Sequence, residues 1–348
     1  MSKHHYALEL AKRGHDVVFF GPPEACGSMY VEPVTYQGVS LRVVHSPKVF
    51  SGMRYLPPWV RRRLEQRWLK ALEDILEQAI EVVWLFENSR FFDMGFAGAR
   101  LKIYHQVDLN QDFNIETACR SADSVFCTST QIKKTLSLFR DDVTIINHGS
   151  QAGQIEEAPV PTSLHDNKVN CVYAGNMSMA YLDCDLIIAC VTSFPDISFH
   201  FFGGFTEGDP FRAKLLDNKN ATLHGKIPAH ELPAILASAD ILMVTYQKEH
   251  FNDQSNPHKV MEYMMSGTVC VSTFTEEYKD RPDLIEMTSQ IGDHDDYLAL
   301  FEKVATDLPR YNAPERRSAR RDFALDNTYD KQLTRIAQAL GARGQLIN

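Results

Sequence analysis

The stretch SNPHKVMEYMMSG at 255–267 decides how this chain is read. Ser255 and Asn256 are good helix N-caps, and Pro257 suits a first helical position, where its missing N–H costs nothing. Gly267 ends the helix, and VCVS at 269–272 follows as a buried strand. A helix that starts here offers unpaired backbone N–H groups and the positive end of its dipole to an anion. Lys259 puts a cation into that first turn, where the dipole disfavours one, and a bound phosphate would account for it. Glu262, three residues on, lies over the same face. Its carboxylate is able to accept two hydrogen bonds from a ribose diol. By spacing alone, the segment is equally an ordinary capped surface helix.

On both sides of this run, short stretches rich in Val, Ile and Phe alternate with helical patterns. That order predicts α/β architecture with parallel sheets. Strands are expected at 17–20, 41–45, 81–86, 101–105, 124–127 and 143–146, with helices at 4–13 and 61–79. Residues 153–165 sit in a stretch that loses periodicity and gathers Pro and charge, and read as a linker. Beyond it, strands are expected at 169–174, 197–202, 221–224, 240–244 and 269–272, with helices at 183–192, 231–237 and 257–265. The tail 312–340 carries apolar residues at helical spacing. The expected domains are therefore 1–152 and 166–310, with 311–348 packing back on the first. The chain opens on a helix where a doubly wound domain normally opens on a strand. Loss of that central strand, through a truncated start, is one reading; an irregular first unit is the other.

The 348 residues, 44% hydrophobic and 23% charged, fit a globular protein of two ordinary domains. No apolar run reaches the ~18 residues of a spanning helix, and the N-terminus lacks the apolar core of a signal peptide. Seven scattered cysteines without CxxC spacing argue against a disulfide scaffold or a zinc site. They fit a reducing, cytoplasmic setting. The net charge of -9 disfavours general nucleic-acid binding.

The stretch 223–273, from LHGKIPAHELP through the SNPHKVMEYMMSG run, resembles the donor half of GT-B glycosyltransferases of the GT4-like superfamily. It is most similar to the bacterial polysaccharide enzymes of the teichuronic-acid and xanthan glucuronosyltransferase kind. The resemblance implies two facing Rossmann-like domains with a crevice between them. It implies that Ser255, Asn256 and Lys259 hold a donor diphosphate, that Glu262 holds the ribose, and that Gly225, Lys226 and Ile227 lie beside the base. Gly175 and Asn176 would turn against the diphosphate. Gly203 and Gly204, at another strand end, allow close backbone approach. In retaining members a Glu stands eight residues before the position of Glu262; here that residue is Gln254, which leaves the stereochemistry open.

On the acceptor side, Tyr104 and Asp108 match a Tyr-x-x-x-Asp pattern in which the aspartate is the base of inverting relatives. An N-cap carboxylate is the plain alternative for Asp108. Glu87 and Asn88 follow an apolar strand, and Glu87 is a candidate to orient the acceptor or the base. The resemblance places His4 and His5 near the reaction centre, and Tyr104, Asn88, His148 and Gln254 are expected to line the crevice. Catalytic roles are thus expected for Asp108, Glu87, His4 and His5. No metal and no cofactor is expected, since Lys259 and a helix N-terminus suffice for a diphosphate.

Residues 57–70, PPWVRRRLEQRWLK, interleave Trp59, Leu64 and Trp68 with five basic residues. This suggests peripheral contact with the inner face of a membrane, or simply an amphipathic helix packed on its sheet. The function expected is transfer of a sugar from a nucleotide-diphosphate sugar, a UDP-sugar in first choice, to a glycan or lipid-linked glycan in surface polysaccharide synthesis. A nucleotide-sugar 2-epimerase on the same fold and a non-catalytic nucleotide-sugar binder are the alternatives.

Overall fold

The computed structural model describes residues 2–36, 38–49, 52–109, 113–151, 160–165, 168–248, 256–289 and 292–348. The chain divides into two units: Met1–His148 with Tyr329–Asn348, and Gly149–Thr328. Residues 153–159 of the expected linker lie outside the described residues, as do Gln254 and Ser255.

The first unit runs α1 (Ser2–Lys12), β1 (Val18–Phe20), β2 (Tyr30–Tyr36), β3 (Val39–His45), α2 (Pro58–Leu76), β4 (Val82–Leu85), β5 (Leu101–Gln106), α3 (Ile115–Ser121), β6 (Ser124–Cys127), α4 (Thr130–Leu136) and β7 (Val143–Ile145). Its strands form two sheets. One is a parallel run of four in the order β4-β5-β6-β7; the other has the order β1-β3-β2. β1 pairs with β3 in parallel, and β2 pairs with β3 antiparallel. β2 falls where no strand is expected from the sequence, and it contains Pro33. The structure keeps it as an edge strand, where the missing N–H costs no ladder bond.

The second unit holds β8 (Val169–Ala174), α5 (Cys184–Ser193), β9 (Ile197–Phe202), α6 (Pro210–Leu216), β10 (Ala221–Gly225), α7 (Leu232–Ser238), β11 (Ile241–Val244), α8 (His258–Ser266), β12 (Val269–Ser272), β13 (Glu286–Met287), α9 (His294–Thr306), α10 (Leu308–Tyr311) and α11 (Pro314–Asp326). One six-stranded, wholly parallel sheet takes the order β10-β9-β8-β11-β12-β13. Its central strands are buried along nearly their whole length because helices cover both faces, and β11 (ILMV) is apolar throughout. Side chains alternate accordingly: Cys171 and Tyr173 enter one core, and Val172 and Ala174 the other. Aspartates at 183, 209 and 293 cap the N-termini of α5, α6 and α9 by accepting backbone N–H bonds.

The tail departs from expectation. α11 stays with the second unit, packed on α8. Buried Arg320 donates to the carbonyls of Leu284, Gly267 and Tyr311, which lie only in that unit. The chain rejoins the first unit at Tyr329 rather than at 311, through α12 (Tyr329–Ala339). There Tyr329, Leu333 and Ile336 pack with Tyr6 of α1 and with Ile103 of β5.

Candidate functional site

Numbered by their place in the chain, the strands of the second unit stand in the order 3-2-1-4-5-6. The direction of winding reverses between β8 and β11, and beyond the C-terminal ends of such a pair an open α/β sheet binds its ligands. The residues there are laced together by backbone bonds. Gly175 N–H donates to the Phe202 carbonyl at 2.8 Å, Gly203 N–H to the Gly225 carbonyl at 2.8 Å, and Met177 N–H to the Gly204 carbonyl at 3.0 Å. The ends of β8, β9 and β10 are thereby held in one continuous cradle.

Only glycine fits at position 203, and Gly175 takes a positive φ of 152° that side chains rarely adopt. A Cβ on Gly203 would fall 1.7 Å from the Gly175 oxygen, a backbone atom that cannot step aside. A Cβ on Gly175 would lie 2.8 Å from the Lys259 Nζ. That second distance also brings the lysine of α8 to the cradle.

Among the described residues, Lys259 is held by tyrosine rings. Its Nζ donates to the Tyr173 hydroxyl at 2.7 Å, and lies 3.9 Å from the centre of the Tyr173 ring and 5.5 Å from that of Tyr246. Burial pushes its ammonium down to about 7, against the smaller opposing pull of Glu262. A cation in a first helical turn, with no ion pair among the described residues, has unspent capacity for an anion. Tyr173 and Tyr246 escaped the sequence reading, where Tyr173 counted only as part of an apolar strand. The signal was a tyrosine two residues before the strand-end glycine.

The other donor candidates stand as follows. Asn256 is buried, and its Oδ1 accepts from the Tyr278 hydroxyl at 3.2 Å. Lys226 is exposed and its stem crosses Gly204, where an added Cβ would meet Cε at 2.5 Å. Ile227 packs half-buried against the core. Asn176 is exposed and accepts from Ser178 N–H in a tight turn. Glu262 is partly exposed, 3.7 Å from the His258 Nδ1 one turn earlier. The structure therefore brings Gly175, Gly203, Gly204, Gly225, Lys226 and Lys259 together.

In the first unit the candidates separate into exposed groups and fixed ones. Asp108 is exposed just past β5, and only its backbone carbonyl is engaged, by Gln106 Nε2 at 3.0 Å. Glu87 is exposed, but both its oxygens are occupied: Oε1 accepts from Ser89 N–H at 2.8 Å and Oε2 from Ser89 Oγ at 2.5 Å. Tyr104 is not a lining residue. It is fully buried and donates to Gln106 Oε1 at 3.0 Å, because residues two apart on a strand share a face and this face is core. Asn88 is likewise buried, donating to the Phe113 carbonyl at 2.6 Å. His148 is buried with its Nδ1 3.0 Å from Ser2 Oγ. His4 stacks on Phe19 and His5 on Tyr329. Burial pushes His5 down to about 4, so its imidazole is neutral at ordinary pH.

The basic stretch begins α2. Arg61 and Arg62 both donate to Asp93 Oδ2 at 2.9 Å, and Arg61 is buried over the Phe92 ring. Trp68 faces inward, donating to Ser46 Oγ and packing on Phe20 and Phe91. Trp59 remains exposed, as do Arg63, Arg67 and Lys70. Among the described residues, no helix is long and apolar enough to cross a membrane, and no group of three or more His, Cys, Asp or Glu is arranged to hold a metal.

Comparison with known proteins places these features in context. Residues 168–304 match the family model described as "Glycosyl transferases group 1". No curated protein matches the chain by sequence. Among solved structures, the chain is similar to the trehalose-6-phosphate synthase OtsA, at 12% identity over 95% of this chain and 93% of that one, with a TM-score of 0.69. It is similar to the sucrose-phosphate synthase of Thermosynechococcus elongatus, at 13% identity over 96% and 90%, with a TM-score of 0.69. It is also similar to Anabaena Alr3699/HepE, solved with UDP and glucose, at 12% identity over 88% and 87%, with a TM-score of 0.66. The fold is accordingly that of two Rossmann-like α/β domains, as found in GT-B glycosyltransferases.

Proposed function

We propose that this protein is a glycosyltransferase that moves a sugar from a nucleotide-diphosphate sugar to a hydroxyl acceptor. One observation carries the reading: Lys259 reaches from the first turn of α8 to a glycine-laced set of strand ends at the point where the sheet's winding reverses. A diphosphate supplies an anion to this half-buried cation, which has no ion pair among the described residues. The glycosyl C1–O bond to the diphosphate breaks, a bond from the acceptor oxygen to C1 forms, and the acceptor proton passes to a base. Asp108 is our assignment for that base, as its carboxylate has no hydrogen-bond partner among the described residues. UDP is the favoured nucleotide, because relatives of the same fold are solved with UDP and with UDP-2-fluoro glucose.

Within that class, an acceptor in surface polysaccharide synthesis, glycan or lipid-linked, rests on the sequence pattern at 223–273. Peripheral membrane contact rests on exposed Trp59 beside Arg63 and Lys70. The test is incubation with a panel of nucleotide sugars, read first as a shift in melting temperature and then as nucleotide release with and without acceptor. A specific ligand raises Tm by mass action. Donor turnover to a new sugar isomer without any acceptor would replace this reading by the epimerase. Binding without turnover across a broad acceptor panel would replace it by a non-catalytic binder.

A further inference from the structure

Arg61, Arg62 and Arg63 stand near the start of α2, whose first turn holds no acidic residue. The positive end of this 19-residue helix disfavours cations, so the cluster costs stability unless anions meet it. Asp93 meets two of the three. Arg61 Nη2 and Arg62 Nε each donate to its Oδ2 at 2.9 Å, and Gly95 N–H donates to its Oδ1 at 3.0 Å. Gly95 leaves room for this arrangement, since a Cβ on it would lie 2.8 Å from Arg62 Nε. Arg61 is only 5% exposed, yet its Nε has no hydrogen-bond partner among the described residues. Arg62 is half-exposed, and its two terminal nitrogens have no partner among the described residues. Glu65, one turn on, is fully buried with both oxygens unpartnered among them. Burial pushes its carboxyl up to about 8, against the smaller pull of Arg61. At neutral pH the cluster is therefore two guanidiniums and one carboxylate, with a positive charge left over.

That charge lines an open pocket of about 500 Å³ within the first unit. Its polar side is Arg61, Arg62 and Asp93, and its apolar side is Tyr55, Phe92 and Phe113. The Arg61 guanidinium lies 4.2 Å over the Phe92 ring, and Phe113 meets Phe92 edge-on at 5.4 Å. Tyr55 stands out into solvent at the rim. Asn114 also lines the pocket, at a left-handed φ of 50°, and its side chain does not cap α3. The exposed Arg67 and Lys70, farther along α2, are not among the lining residues.

An aromatic wall beside a guanidinium fork matches a saccharide unit that carries an acid. A sugar ring presents a C–H face that packs on an aromatic ring, and a carboxylate or phosphate takes two parallel N–H bonds from arginine. We propose that this pocket seats the acceptor through an anionic group, carboxylate or phosphate, attached to a sugar ring. The proposal rests on the glycosyltransferase reading and narrows its acceptor to an acidic saccharide. Asp93 holds the Arg62 fork in place before a ligand arrives, so little freedom is lost on binding. Phe113 and Asn114 belong to the segment between β5 and α3 that also carries Asp108. One connection thus bears both the proposed base and part of the acceptor wall.

The experiment titrates the full chain with methyl glucuronide, glucose-6-phosphate, methyl glucoside and inorganic phosphate, read by ligand-observed NMR. Arg62→Ala is compared with Arg67→Ala, which removes an equal charge from the same helix outside the pocket. The expected result is that at least one acidic sugar binds about tenfold or more tighter than the neutral glucoside. Arg62→Ala should weaken that binding by about tenfold or more, and Arg67→Ala should leave it unchanged. Preference for the glucuronide or for the sugar phosphate supports the proposal either way and says which acid the acceptor carries. Equal binding of acidic and neutral sugars, or equal effects of the two substitutions, overturns it. So does inorganic phosphate binding as tightly as the sugar phosphate with no glucuronide bound, or Arg62-dependent binding to phosphatidylglycerol vesicles with no acidic sugar bound. Where Arg62→Ala does not fold, Arg62→Gln, which keeps a donor for Asp93, is judged by the same outcomes. UDP binding by the second unit is measured in parallel. UDP bound without discrimination among sugars sinks this proposal alone; discrimination without UDP binding sinks the donor-site reading and leaves the pocket an acidic-saccharide site.

Discussion

Replacing Lys259 by Met separates a ligand-binding lysine from a structural one. The substitution keeps most of the apolar stem and removes the ammonium. In the free protein, burial holds this group at about 7 against an ordinary value of 10.5. That difference corresponds to at most ~5 kcal/mol of folded-state cost while the group is charged, at 1.36 kcal/mol per unit. The side chain is only partly covered, so solvent screening cuts this to about 1–3 kcal/mol. Loss of the hydrogen bond to Tyr173 returns about 1 kcal/mol. Lys259→Met should therefore be neutral to more stable by about 2 kcal/mol at pH 7, and about 10–100-fold weaker for UDP, the loss of one charge-assisted contact. The folded state binds fewer protons than the unfolded one between pH 7 and 10.5, so wild-type stability gains from this group as pH rises across that window. The advantage of the variant should shrink correspondingly from pH 6.5 to 9.5. Nucleotide binding runs the other way: wild-type affinity is flat below about pH 7 and falls above it by up to about tenfold per unit, because the ligand needs the proton. Chemical denaturation across pH and calorimetric titration with UDP measure both. A variant that is stabilised yet binds UDP as tightly as wild type would refute the donor-site reasoning.

Gly203→Ala should lower Tm by about 4–10 °C and abolish nucleotide binding, since the new Cβ overlaps the Gly175 carbonyl by more than an ångström. Gly208→Ala, whose Cβ meets open space, is a control for left-handed backbone strain alone. Asp108→Asn should lower kcat by at least about 100-fold with little change in donor affinity, whereas Glu87→Gln, which breaks the Ser89 turn, should cost less than about tenfold; steady-state kinetics with a fixed donor reads the contrast. Glu65 is buried beneath α2, and burial raises its carboxyl from 4.5 to about 8. Its contribution to stability is complete below pH 4.5 and is lost as pH rises through about 8, so Glu65→Gln should be the more stable protein at pH 9 in denaturant titration.

What could be read in the sequence follows from where each signal is stored. The α/β rhythm, the helix at 257–265 and the strand ends at Gly175 and Gly203 are local patterns, and each emerges within a few residues of its expected place. Pairing is not local. Nothing in YVEPVTY announces that an edge position would forgive Pro33, and a single apolar tail pattern hid the switch of unit at Tyr329. Side-chain direction was the larger gap. Tyr104 matched a motif but its strand parity turns it into the core. Trp68 looked like an interfacial anchor, yet its indole is held by Ser46. Of the tyrosines that seat Lys259, Tyr173 stands 86 residues before it in the chain and Tyr246 follows another strand, and only folding brings both rings to it.

The donor cradle is assembled from features that each cost the free protein stability. Lys259 is a half-desolvated cation against neutral rings, and Gly203 gives up backbone entropy that alanine would spare. Such costs persist only where the surrounding structure over-determines them. Here a sheet with four strands buried throughout or nearly so, and cores on both faces, supplies that support. A ligand that neutralises Lys259 relieves part of the cost as it binds, so the cradle should tighten on nucleotide more than contact area alone would give. The first unit lacks this support beside β1 and β4, where two edges and a large apolar space remain open. Its candidate base, Asp108, lies past β5, the strand next to one of those edges. Placement of that carboxylate therefore rests on β5 itself and on the hydrogen bond that the Asp108 carbonyl accepts from Gln106.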